Sequence, residues 1–152
     1  MNERIPQARF YRQYPALPTA LIHVAEELRK AQLSATLIQL LETRASQING
    51  CGYCLNMHCE DARKSGEDQQ RLDVLSAWRE VPWFDAAERA ALDWCETLTR
   101  IPEGHATDAQ FEELKNHFSE EQIVAITAAV IVINSWNRVV AAFHFIPRRR
   151  GT

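Results

Sequence analysis

The sequence predicts an all-α protein of about seven helices, and three observations predict it. Capping residues recur just ahead of apolar stretches. Apolar residues within those stretches recur at three- and four-residue spacing, and almost nothing alternates with period two. Gly (5 residues) and Pro (6 residues) are few and fall mainly between the periodic segments, where they punctuate helices.

The elements follow in order. Pro18 opens a helix over about 18–30, since proline is tolerated in a first turn. Ser34 caps a second helix to about Ile48, with Leu33, Leu37, Leu40 and Leu41 spaced for one apolar face. Asn49-Gly50 breaks it. Cys51 starts a third helix to about Lys64, which Ser65-Gly66 ends, Gly66 suiting the left-handed cap. A fourth covers about 67–79. Asp85 with Glu88 forms a capping box for a helix to about Arg100. Thr107 with Gln110 repeats the pattern for a short helix to about His117. Ser119 with Gln122 does so again for a long helix to about Phe145, ahead of Pro147. Within that last element, Val130-Ile131-Val132-Ile133 is β-branched and competes as a strand. The upstream capping box and the flanking alanines decide for a buried helix.

The chain's 152 residues suit a single domain spanning 1–152, and 46% hydrophobic with 24% charged residues is an ordinary globular balance. A net charge of -3 argues against a nucleic-acid partner. The basic run Arg148-Arg149-Arg150 reads as a solvated tail. The start, Met1-Asn2-Glu3-Arg4-Ile5-Pro6, has no apolar signal-peptide region. The longest apolar run, Ile123 to Ile133, falls short of the ~18 residues of a membrane span. No membrane association and a cytoplasmic, reducing location are therefore expected. Four cysteines there are catalytic, metal-binding or buried rather than structural disulfides.

The chemistry concentrates in Cys51-Gly52-Tyr53-Cys54-Leu55-Asn56-Met57-His58. On a helix, residues three and four apart share a face, so Cys51, Cys54 and His58 lie on one stripe. Asn49-Gly50 places the cysteines in the first turn, where free N–H groups and the positive dipole end favour a thiolate. His58 supplies a base within reach of a nucleophile. Being one turn from His58, Cys54 is assigned as the attacking thiolate, and Cys51 as the sulfur that resolves its sulfenic acid to a disulfide. A C-x-x-C pair has two other readings. One is a zinc site with Cys59, Cys95 or a distant histidine completing the set, although no second C-x-x-C or H-x3-5-H pair is present. The other is two buried cysteines beside a satisfied histidine.

The stretch from Arg44 to His58, Arg-Ala-Ser-Gln-Ile-Asn-Gly-Cys-Gly-Tyr-Cys-Leu-Asn-Met-His, resembles the core of the alkylhydroperoxidase AhpD-like proteins of the carboxymuconolactone decarboxylase superfamily. Ile133-Asn134-Ser135-Trp136-Asn137-Arg138 resembles the last-helix signature of one AhpD-like subgroup, as does Phe118-Ser119-Glu120-Glu121-Gln122. The resemblance extends over about residues 15–145. It implies an all-helical homo-oligomer, a trimer or hexamer. It also implies reduction of a hydroperoxide substrate in which the second cysteine attacks, the first resolves and the histidine joins a proton relay. The reductant it implies is a dithiol such as a lipoylated protein. The relay of the family includes a Glu twelve residues before the first cysteine, a position held here by Gln39, which cannot take up a proton. Glu42, one turn later, is the candidate substitute, its other reading being an exposed helix carboxylate. Asp61, three residues after His58, is a further candidate to orient the imidazole.

With no Gly-rich dinucleotide fingerprint, no cofactor or metal is expected. Cys59 and Cys95 read as packed side chains, and Trp136-Asn137-Arg138 as structural, at an oligomer contact. The expected function is a thiol-dependent peroxidase. The alternatives are a metal- or partner-binding helical oligomer without activity, and a lyase or decarboxylase of the same superfamily.

Overall fold

A computed structural model describes residues 2–149, Arg29 by its backbone alone. Arg150, the last of the basic run, lies outside the described residues. Among those residues there are eight α-helices and no strand: α1 (Gln7–Gln13), α2 (Ala16–Glu27), α3 (Ala35–Ile48), α4 (Gly52–Lys64), α5 (Gln69–Val74), α6 (Ala86–Thr99), α7 (Asp108–Lys115) and α8 (Glu120–Phe143). Short 3-10 turns extend α2, α5 and α6 over Leu28–Ala31, Leu75–Glu80 and Ile101–Glu103.

The caps read from sequence are made. Ser34 Oγ accepts the Leu37 N–H at 3.1 Å, and complete capping boxes open α6, α7 and α8 at Asp85, Thr107 and Ser119. Each cap is worth about 1 kcal/mol of local stability. The β-branched run Val130–Ile133 is helical inside α8, as its upstream cap requires.

Three differences have physical causes. The unexpected helix α1 has Pro6 at its N-cap and no side-chain cap bond. Seven residues are too few to hold a helix by themselves. Packing holds this one: the Phe10 ring lies 5.2 Å from that of Phe143 and 6.0 Å from that of Phe145. The segment 67–79 is not one helix, because α5 passes into a 3-10 turn with a kink at Ala77 that turns Trp78 into the core. Finally, α8 stops at His144, whose left-handed φ of 60° ends the helix.

α8 is 24 residues long and holds an 18-residue window of mean hydropathy 1.7, long and apolar enough to cross a membrane, which the run ending at Ile133 did not reveal. In the fold, 61% of its apolar window is buried, so its hydropathy matches that of a core helix. Around it, α3 packs on α4, α6 and α8, and Leu40, Leu41, Leu75, Leu92, Leu114, Ile126 and Ile133 are fully buried. A second tie is electrostatic. The buried Glu96 on α6 accepts from Arg44 Nε on α3 at 2.6 Å, from Trp78 Nε1 at 2.9 Å and from Arg79 Nη1 at 2.6 Å. This fixes α3 in place, and α3 carries one wall of the site.

Candidate active site

The site is built on the turn between α3 and α4. Gly50 has φ +64°, a conformation other residues adopt with strain. Its N–H donates to the Gln47 carbonyl at 3.2 Å, and the Cys51 N–H to the Ser46 carbonyl at 2.9 Å. Together these form a Schellman closure of α3. The same Cys51 is the N-cap of α4, where its Sγ accepts the Cys54 N–H at 3.3 Å. The sequence Asn49-Gly50-Cys51 thus ends one helix and starts the next with a sulfur in the capping position.

Sequence spacing brings Cys51, Cys54 and His58 together, and of the two relay candidates Gln39 and Glu42 the structure brings Glu42 to the histidine. Its Oε2 lies 3.0 Å from His58 Nδ1, both side chains being largely buried. The two helices run antiparallel from the turn, and Glu42 and His58 each stand eight residues from Gly50, so they meet across the hairpin. Gln39 does not reach the histidine. It lies farther along α3, where its Nε2 donates to Ser65 Oγ at 3.0 Å. Asp61 is half exposed and 3.7 Å from Lys64 Nζ. With Nδ1 on Glu42, Nε2 is the ring nitrogen that remains for chemistry.

The two thiols behave as a unit. The Cys54 thiol donates to Cys51, and this contact is the main reason the Cys51 pKa falls from 9.0 to about 7. Burial opposes that fall, while the Cys54 N–H, the Asn137 side chain and His58 add to it. The same contact, burial and the charge on Cys51 push the Cys54 thiol up. One proton is therefore held between two sulfurs, and the resting charge sits on the capping Cys51. Spacing alone had placed that charge on Cys54. The Cys54 thiol's bond to Cys51 reverses it, and the N-cap hydrogen bond adds to the effect.

Access separates the two sulfurs. Cys54 and His58 line a cavity of about 350 Å3, whose apolar walls come from Ile22, Met57, Val132, Ile133 and Trp136. Glu26, Glu42 and His58 are its charged or basic members, and among the described residues no Lys or Arg lines it. Tyr11 stacks on Trp136 at 6.3 Å between centroids, and Tyr53 Oη donates to Gln7 Oε1 at 3.3 Å, so α1 forms part of the wall.

The arrangement of a dithiol, a carboxylate-held histidine and an apolar pocket coincides with a sequence match. Residues 10–97, more than half of the chain and all of the α3–α4 hairpin, match the carboxymuconolactone decarboxylase family. The chain belongs to that family. Within it the chain is AhpD-like. It is 36% identical to a protein of unknown function from Agrobacterium tumefaciens, named as an AhpD candidate for antioxidant defence. That comparison covers 98% of this chain and 100% of the other, at a TM-score of 0.90. The uncharacterised protein YdfG of Bacillus subtilis (strain 168) is 34% identical over 91% of this chain and 92% of its own length. The debrominase Bmp8 shares the fold at 22% identity and TM-score 0.79, over 90% of this chain and 73% of its own.

In this AhpD-like chain, Asn137 joins the site from α8, where sequence reasoning had assigned its segment a structural role. It is buried, its Nδ2 donates to Ser46 Oγ at 3.1 Å, and its Oδ1 accepts from Asn49 Nδ2 at 2.8 Å. It also favours the Cys51 thiolate. The remaining signal in the sequence was a second asparagine, Asn49, in the turn it braces. Trp136 likewise turns out to line the pocket. Cys95 is fully buried with its thiol pushed up to about 12 by burial, and its Sγ donates to the Leu41 carbonyl. Cys59 is partly buried, with its pKa also raised by burial. Burial disfavours the thiolate form of both. Among the described residues, no three His, Cys, Asp or Glu side chains converge to hold a metal.

Proposed function

We propose that this protein is a thiol peroxidase that reduces uncharged organic hydroperoxides, ROOH, to alcohols. The observation that carries this reading is the placement of Cys54 and His58 together on the wall of a 350 Å3 apolar pocket, with Glu42 on the far side of the imidazole.

Each group has a role in the reaction. Cys54 passes its proton to His58 Nε2, and Glu42 stabilises the imidazolium through Nδ1–H. The Cys54 thiolate attacks the terminal oxygen of ROOH. An S–O bond forms, the O–O bond breaks, and the alkoxide leaves with the proton from His58 as ROH. Cys54 is now a sulfenic acid. The Cys51 thiolate attacks its sulfur, and hydroxide leaves and takes up one proton as water. The two sulfurs are oxidised by two electrons to a disulfide, and the peroxide is reduced by two. At the N-cap of α4, Cys51 stands where the helix's N–H groups and positive end favour the thiolate that this step uses. A dithiol, such as the lipoyl group of a carrier protein, would return the pair to the reduced state.

The pocket selects the substrate. Its walls are apolar and its charged members include two carboxylates, so a neutral, bulky R group is favoured over H2O2 and over an anionic hydroperoxide. The test is consumption of cumene hydroperoxide with dithiothreitol by wild type and Cys54→Ser. Turnover by wild type and none by the variant is expected. Equal consumption by both, or none by either, overturns the assignment.

A further inference from the structure

Two cavities flank the cysteine pair, one for each sulfur. Cys54 lines the apolar pocket, while Cys51 lines a second cavity of about 350 Å3 with Asn49, Asn137, Ala141 and His144. Tyr53, Val140 and Phe145 line both and form the partition. A disulfide between Cys51 and Cys54 therefore presents one sulfur to each side, and an incoming thiolate faces a choice.

The leaving group decides it. Attack on one sulfur expels the other, and the better stabilised thiolate leaves faster. Cys51 Sγ sits at the N-cap of α4, where it accepts the Cys54 N–H at the positive end of the helix. Asn137, held by Asn49 and Ser46, stands beside it. Cys54 lies inside the first turn, and its own N–H is already committed to Cys51.

We propose, on the basis of the peroxidase reading above, that the donor dithiol enters the same apolar pocket as the hydroperoxide and attacks Cys54, expelling Cys51. The donor thiolate forms a bond to Cys54 Sγ. The Cys51–Cys54 bond breaks, and Cys51 leaves with the electron pair as the N-capped thiolate. The donor's second thiol then attacks the donor sulfur of the mixed disulfide, closing the donor to a cyclic disulfide. Cys54 departs and takes the proton released by that thiol. Two electrons pass from donor to protein. The second cavity plays no part in the transfer. Hydroperoxide and donor consequently compete for one pocket, each inhibiting the other's half-reaction at high concentration.

The experiment uses protein oxidised with one equivalent of cumene hydroperoxide, the disulfide being read as a loss of two hydrogens in the intact mass. Brief exposure to 2-mercaptoethanol, acid quenching, alkylation and peptide fragmentation then locate the adduct. The expected result is mercaptoethanol on Cys54 and the alkyl label on Cys51; the reverse overturns the proposal. A second measurement compares re-reduction by dithiothreitol in two surface variants. Ile22→Trp at the mouth of the apolar pocket should slow it at least about tenfold, as obstructed approach does. Ala141→Trp at the second cavity should leave it within about twofold. The opposite ranking also overturns the proposal. If hydroperoxide leaves both thiols reduced, the peroxidase reading is what fails. Adduct mapping on a disulfide made with diamide then still reports which sulfur is attacked.

Discussion

Helix α3 holds two buried charged side chains two residues apart, Glu42 and Arg44, and they have opposite characters. Arg44 faces α6 and ends in a cluster around Glu96, which takes hydrogen bonds from Arg44, Trp78 and Arg79. Burial alone would raise the Glu96 carboxyl, but the bonds from Arg79, Trp78 and Arg44 outweigh it and hold the carboxyl below its usual range. Glu42 faces α4, holds a histidine through one nitrogen, and opens with it onto a cavity. In the first cluster the carboxylate is taken up by three donors, and although Arg79 and Glu96 also line a surface cavity, no sulfur stands beside them there. The second leaves an imidazole nitrogen and a sulfur for a reactant. Buried charge that is fully satisfied serves the fold, and buried charge left partly open serves chemistry.

The predictions separate the two clusters, beginning with the largest effect. His58→Ala should lower hydroperoxide turnover by about 10²–10⁴-fold per folded molecule, the range of a lost general acid–base group. Glu96→Gln should do the converse. Removing the charge strands Arg44 and costs about 3–5 kcal/mol in urea unfolding, with activity per folded molecule retained. The sign of the pH dependence follows. A carboxyl held low stabilises the fold above its unfolded pKa, and that stabilisation is lost as pH falls through its folded value. Acid unfolding of wild type should therefore be steeper than that of Glu96→Gln.

Smaller effects sharpen the relay. Glu42→Gln should reduce turnover by less than His58→Ala does. Gln39→Glu should leave it within about twofold, since Gln39 bonds Ser65 and not the histidine. A substantial gain from Gln39→Glu would return that position to the relay. The smallest effect concerns the thiols. Thiolate absorbance near 240 nm should appear in wild type as pH rises through about 7, the value for Cys51. Asn137→Ala should move that midpoint upward. Because the folded pKa is depressed, ionised Cys51 stabilises the fold above its unfolded pKa and loses that contribution as pH falls through about 7.

Much of this was legible in local sequence. Ser34, Asp85, Thr107 and Ser119 announce helix starts because a capping bond reaches only three residues. Asn49-Gly50 announces the hairpin turn for a similarly local reason. Cys51, Cys54 and His58 form a constellation by helical spacing alone. The kink at Ala77 and the helix α1 were not legible, because tertiary packing sets both: Trp78 reaches Glu96, and Phe10 reaches Phe143 and Phe145. Glu42 was half legible. Its pairing with His58 depends on their equal distance from Gly50, which has meaning only once α3 and α4 are known to be antiparallel neighbours. Asn137 gave no local sign, being 86 positions from Cys51 along the sequence and brought there by α8.

The most direct measurement traps the first chemical step. Reduced Cys51→Ser protein, given one equivalent of cumene hydroperoxide and then dimedone, should carry the sulfenic-acid adduct on Cys54, and Cys54→Ser treated alike should carry none on Cys51. An adduct on Cys51 in the second variant, with Cys54 unlabelled in the first, would contradict the assignment of Cys54 and its pocket as the place where peroxide is reduced.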